Sequence, residues 1–135
     1  MKKVLLDTHA MLWWWTEPGK LPAPVLNTLQ SPRTEIFASA VSACELSYKH
    51  HLGKLTLPAD LLDAFEEAVA AERWTPLPVS TTHCLLAGRL SSSHRDPFDR
   101  LLAAQAMTEK LALVSVDAVF TGFAGLKVFW KPRLP

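Results

Sequence analysis

Several features that classify small proteins are scarce in this sequence. It has only two cysteines, Cys44 and Cys84. They stand far apart with no paired spacing, which argues against a disulfide framework, a zinc knuckle or a dithiol redox motif. Both read as reduced, mostly buried thiols. A surplus of charge is also missing: the formal net charge is +1 at pH 7, so a histone-like or tail-driven nucleic-acid binder is excluded and any such contact must be local. No apolar run is long enough to span a bilayer, and Met1-Lys2-Lys3-Val4-Leu5-Leu6 meets Asp7 too soon for a secretion signal. The expectation is a cytoplasmic protein with no membrane role. Repeats, low-complexity stretches and linkers are absent too, so the 135 residues read as one domain over 1–135, long enough to bury a core without staples.

What is present leans apolar. Hydrophobic residues make up 49% of the chain, high enough for a soluble protein to suggest that a partner covers some apolar surface. Lys2 to Leu6 reads as a buried strand ending in Asp7-Thr8-His9, followed by a helix over Ala10 to Trp15. An acid at the carboxyl end of such a strand faces the crevice where α/β proteins hold ligands. Asp7 therefore reads either as a ligand-side acid or as the cap of the helix. Trp13, Trp14 and Trp15 fan over a wide arc of that helix, at about 100° per residue. One core cannot bury all three, so they are either partly covered by the next segment or meet a partner.

Pro22 and Pro24 suit the entry of a second helix, which Ser31-Pro32 stops. Ile36 to Val41 reads as the second strand, and Ser42 with Glu45 has the spacing of a capping box. Lys49 follows one turn beyond Glu45, as an ion-pair partner or a phosphate contact. Pro58 to Arg73 carries Leu61, Leu62, Phe65, Ala68 and Val69 at helical period, with its acids on a solvated face. Leu77-Pro78-Val79 fits a short edge strand, because proline removes a ladder donor. Ser80 to Leu90 is a further helix, in which His83 is a surface or packing histidine. Ala112 to Val116 is a strand running into Asp117, Ala118 to Phe123 a turn or short helix, and Lys127 to Trp130 a final strand before a proline-containing tail. Alternating short strands and longer helices specify a three-layer α/β/α fold around a parallel sheet.

The remaining stretch, His94-Arg95-Asp96-Pro97-Phe98-Asp99-Arg100, opens a helix with two acids three residues apart. With Pro97 at the first helical position, Asp96 is placed as N-cap and Asp99 as the inward acid. Asp7, Glu45 and Asp117 each follow a strand closely, so a parallel sheet gathers them at one edge, and Asp99 joins from a loop returning to that end. Four like charges raise one another's pKa, and bound divalent cations would offset the repulsion. Oxygen ligands without a thiolate or histidine set favour Mg²⁺ or Mn²⁺, and such a site suits phosphodiester hydrolysis. Thr8 and Ser115 offer hydroxyls beside it, and Lys49, His94, Arg95 and Arg100 are candidates for contacting the phosphates of such a substrate. For Arg100, ion-pairing that shields the acids is an equal reading.

Leu6-Asp7-Thr8-His9, Ser42 to Glu45 with Lys49 and Gly53-Lys54-Leu55, His94 to Ala106, and Ser115-Val116-Asp117 occur here in that order. Together they resemble the PIN-domain ribonucleases, and within them the VapC-type toxins of toxin-antitoxin pairs. The resemblance covers essentially the whole chain and carries the family's acidic quartet onto Asp7, Glu45, Asp99 and Asp117; Ser115 replaces a threonine common in relatives and keeps its hydroxyl. It implies a PIN-like fold with a central five-stranded parallel sheet, Mg²⁺ or Mn²⁺ dependence, RNA cleavage leaving a 5′-phosphate, homodimerisation, and inhibition by a small VapB-type antitoxin. A receiver-like phosphoacceptor would want an acidic pair where Leu6-Asp7-Thr8 has one acid. A haloacid dehalogenase-type phosphatase would want aspartate where His9 stands. The rival of a different class is a non-catalytic PIN-fold RNA-binding or scaffold domain, in which part of the acidic set is usually lost.

Overall fold

In the computed structural model, which describes residues 2–130, the first apolar run forms β1 (Lys2–Leu6) at the centre of a five-stranded sheet. Beside it lie β2 (Thr34–Ser39) and then β3 (Thr75–Leu77); on the other side lie β4 (Ala112–Val114) and β5 (Val128–Phe129). Every neighbouring pair is parallel. The three-layer α/β/α arrangement expected from the sequence is the one observed. Val4, Leu5 and Leu6 are fully buried. Val4 and Leu6 pack with Met11, Val25, Ile36 and Val69, whereas Leu5 packs with Leu102, Ala103 and Leu113. A strand covered on both faces is apolar at every position, hence the run without alternation.

Six α-helices flank the sheet among the described residues. They are α1 (Thr8–Thr16), α2 (Ala23–Gln30), α3 (Ala40–His51), α4 (Phe65–Ala71), α5 (Thr81–Arg89) and α6 (Pro97–Glu109). Residues of α1, α2 and α4 join the core on the Val4 face, and α6 covers the Leu5 face through Leu102, Ala103 and Ala106. The alanines bring α6 close to the sheet, and a larger side chain there would overpack the contact by about 1–3 kcal/mol. Gly53 ends α3 with φ of 74°, a left-handed conformation that glycine adopts without strain.

Some boundaries differ from the sequence reading. The helix expected over Pro58 to Arg73 is regular only from Phe65. Leu61 and Leu62 instead sit in turns that pack against a small cluster of Leu12, Leu46 and Leu57. β3 ends at Leu77 and carries Pro76 at the sheet edge, where no ladder donor is needed. Cys44 and Cys84 are exposed rather than buried. In both helices the neighbouring position turns inward, Glu45 in α3 and His83 in α5. The three tryptophans are each partly buried: Trp14 and Trp15 lie against Trp74, Trp15 also meets Phe65 edge-on, and Trp13 lies beside Trp130. The tail after Trp130 lies outside the described residues.

Candidate active site

The carboxyl end of β1 delivers Asp7, which caps α1 by accepting the Ala10 amide at 2.7 Å. The cap reading is thus correct, and it uses only Oδ1. Asp7 is buried, and burial pushes its carboxyl up from 3.8 to about 6; the Ser115 hydroxyl, the Ala10 amide and His9 pull it down, and the Asp99 charge pushes it further up. Thr8 turns inward as well, and its hydroxyl shares a 3.0 Å hydrogen bond with that of Ser42.

That bond locates the error in the capping box. α3 starts three residues earlier than the Ser42 assignment requires, with Ser39 as N-cap accepting the Val41 amide at 2.9 Å. Glu45 therefore lies in the second turn, out of reach of a capping role and of the helix N-terminus. Its side chain is buried, with 2% of the residue exposed. The Lys49 ammonium donates to Oε2, while Oε1 is buried with no hydrogen-bond partner. An orphaned carboxylate oxygen is costly in a folded interior unless something else binds it.

At the start of α6, Asp96 is the N-cap and Oδ1 accepts the amides of Phe98 at 2.8 Å and Asp99 at 3.3 Å. Asp99 meets His94 instead, Oδ2 to Nε2 at 2.7 Å. Burial raises the Asp99 carboxyl; His94 opposes the shift, while Asp96 and Glu45 add to it. Asp96 is less detached from the acids than its capping role alone suggests, because ligand atoms of His94, Asp96 and Asp99 lie within 4.8 Å of one another.

Asp7, Glu45 and Asp99 thus share one electrostatic neighbourhood. Asp117, at the carboxyl end of β4, is exposed and caps a short 3₁₀ turn over Ala118–Gly122, accepting the Val119 amide at 3.0 Å. Ser115, two residues earlier, is buried and accepts the Asp117 amide.

The basic residues divide. Lys49 faces Glu45, and Arg95 is exposed. Among the described residues Arg100 forms no ion pair with the acids, which answers the shielding reading. Its guanidinium donates to the carbonyls of Ala87, Leu90, Ser92 and His94 at 2.8–3.1 Å, binding the end of α5 to the loop before α6. Four of its five N–H donors are used, and the loop so held presents His94 to Asp99. The sequence reading missed a buried network behind this edge. Gln105 accepts from the Ser39 hydroxyl at 2.5 Å and donates to the Pro78 carbonyl, while His83 accepts the Ser80 amide through Nδ1 and pairs with Glu109 through Nε2. A glutamine inside Leu101-Leu102-Ala103-Ala104-Gln105-Ala106 was the available signal.

Asp7, Glu45 and Asp99 offer oxygen donors, with the single nitrogen of His94 beside Asp99. One oxygen is buried and unbonded, and the carboxyls of Asp7 and Asp99 are held above their usual range by burial and then by neighbouring acids, Asp99 acting on Asp7 and Asp96 and Glu45 acting on Asp99. A hard divalent cation would relieve each of these strains, so the residues present fit Mg²⁺ or Mn²⁺.

The family model for the PIN domain matches residues 4–126. Among curated proteins, Ribonuclease VapC22 of Mycobacterium tuberculosis is 29% identical over 118 residues, covering 87% of this chain and 88% of that protein. The fold is similar to that of VapBC2 from Rickettsia felis bound to a promoter DNA fragment, with a TM-score of 0.71 at 18% identity over 94% of this chain and 97% of that one. It is also similar to DNA-bound VapBC from Salmonella typhimurium, with a TM-score of 0.68 at 19% identity over 96% and 98%. With nearly the whole chain matched and the acids gathered at the carboxyl edge of a parallel sheet, this protein belongs to the PIN-domain family.

Proposed function

We propose that the protein is a metal-dependent endoribonuclease and the toxin of a VapBC-type pair. The observation that carries this reading is the buried, unbonded oxygen of Glu45 beside the raised carboxyls of Asp7 and Asp99. These groups are poorly satisfied in the protein alone and well suited to a hard cation. The likeness to a protein named as a ribonuclease supports the substrate class.

In this reading Asp7, Glu45 and Asp99 hold Mg²⁺ or Mn²⁺, with Asp117 completing the acidic set. The chemistry such an ion supplies when bound is acidification of water and neutralisation of charge on the phosphodiester. The chain's own residues set the stage. Lys49 fixes one oxygen of Glu45 and leaves the other free. His94 fixes one oxygen of Asp99, and the Ser115 hydroxyl steadies Asp7. Arg95 is exposed beside a polar depression lined by Ser92, Ser93 and His94, where an RNA phosphate would be received.

The two solved structures named above are of VapBC assemblies, which supports a small VapB-type antitoxin as partner; a homodimeric toxin belongs to the same proposal. Among the described residues no helix is long and apolar enough to cross a membrane. The test is to map RNA ends in cells expressing either the wild-type chain or Asp99→Asn. New 5′-phosphate ends with the wild type alone, suppressed by co-expression of an adjacent antitoxin reading frame, are expected; identical RNA ends in both would refute the reading.

A further inference from the structure

Tyr48 is the one aromatic among the strongly exposed large apolar side chains of the described residues, at 52% exposed; Leu52, Val79 and Leu85 are aliphatic. It lies on α3, three residues after Glu45 and directly before Lys49. Its ring leans on Phe98 with centroids 6.3 Å apart and planes tilted by 51°. Phe98 is the residue before Asp99, and its own ring is partly buried against the Leu102 and Ala103 core. Two elements that each deliver a carboxylate to the site therefore also deliver one aromatic ring each to a shared spot beside it. The inner ring is anchored and the outer one is half open to solvent.

Beyond its contact with Phe98, half of the Tyr48 ring gains nothing from packing, whereas a π-face beside a phosphodiester site is what an unpaired base needs. The local charge agrees in sign, since the exposed basic residues His50, His51 and Lys54 follow Tyr48 in sequence and are candidates for flanking phosphates. We infer that Tyr48, backed by Phe98, is a stacking platform for an unpaired nucleobase of the RNA next to the acid cluster. This inference rests on the ribonuclease reading above and specifies its substrate as single-stranded at that position. Such a platform accepts any base, because every base has a π-face; it selects for unpaired structure rather than for sequence.

The test measures binding apart from cleavage. Fluorescence anisotropy, in the presence of chelator, follows a short labelled single-stranded oligoribonucleotide of mixed sequence and the same oligomer made without bases. Wild type is expected to prefer the base-bearing oligomer by about 5- to 100-fold. Tyr48→Ala loses most of that preference with an unchanged thermal melt, as an exposed side chain allows. Tyr48→Phe keeps the preference to within about twofold, since the ring and not the hydroxyl stacks. Equal preference in wild type and Tyr48→Ala would overturn the inference, as would a change in the oligomeric mass of Tyr48→Ala, which would mark the ring as a contact between copies. Because the assay needs no turnover, a protein that passes it yet never cuts RNA once metal is restored would refute the nuclease reading and leave the platform standing.

Discussion

Lys49 and Glu45 lie one helical turn apart on α3, and the ammonium claims Oε2 while Oε1 stays buried without a partner. This pair is a local ion pair that is only half satisfied, and the Glu45 charge acts on Asp99. Removing the lysine strands a buried carboxylate, at a cost of about 3–5 kcal/mol. Lys49→Met should therefore lower stability strongly in chelator, and adding Glu45→Gln should recover much of the loss. Denaturant titration of the two single variants and the double variant measures this coupling.

His94 and Asp99 form the second such relationship, at 2.7 Å. A histidine that orients a metal-binding carboxylate typically contributes 10- to 100-fold in metal affinity, to within an order of magnitude. Calorimetric titration with Mn²⁺ should show His94→Ala weakened by about tenfold or more. His94→Gln, which retains a donor near that position, should fall in between.

The pH dependence of stability has a definite sign. Asp7 titrates near 6 in the folded protein against 3.8 as its ordinary value, so the folded state holds the extra proton between those limits. Stability of the metal-free protein should fall as pH rises from about 4 to about 6 and then level off. The full effect is up to about 3 kcal/mol. Asp99 is shifted the same way and adds to it. Asp7→Asn can still accept the Ala10 amide, so it should be more stable than wild type at neutral pH in chelator. Thermal melts across that range, with chelator and then with Mn²⁺, would show the trend and its reversal.

Arg100 and Arg95 should respond differently although they stand five residues apart. Arg100→Lys gives up most of four carbonyl contacts, each worth about 1 kcal/mol or more. It should lower the melting temperature and loosen His94. Arg95→Ala should leave the melt unchanged and reduce the salt dependence of RNA binding by about one phosphate contact.

The sheet and the acids were readable because their signals are local: an apolar run followed at once by an acid, as at Leu6-Asp7, marks both a buried strand and its ligand-facing end. The start of α3 was not readable in this way. Ser39 and Ser42 both offer a cap, and only the register of β2 against β1 decides between them. The carbonyl partners of Arg100 were not readable for a related reason. They lie at the end of α5 and in the following loop, brought to it by the packing of two helices, while the nearby acids are visible in sequence. Asp117 illustrates the reverse case: its place after a strand was legible, but the capping bond that turns its carboxylate to the Val119 amide was not.

The central claim is that the Asp7, Glu45 and Asp99 cluster hydrolyses RNA with a bound divalent ion. Its most direct test is cleavage of labelled single-stranded RNA by purified protein with Mg²⁺ or Mn²⁺, with excess chelator, and by Asp7→Asn and Asp99→Asn variants whose melts show them folded. Cleavage by wild type that chelator abolishes, with both variants at least about a hundredfold slower, is the expected result. Cleavage that survives the chelator, or folded variants that cut at the wild-type rate, would contradict it.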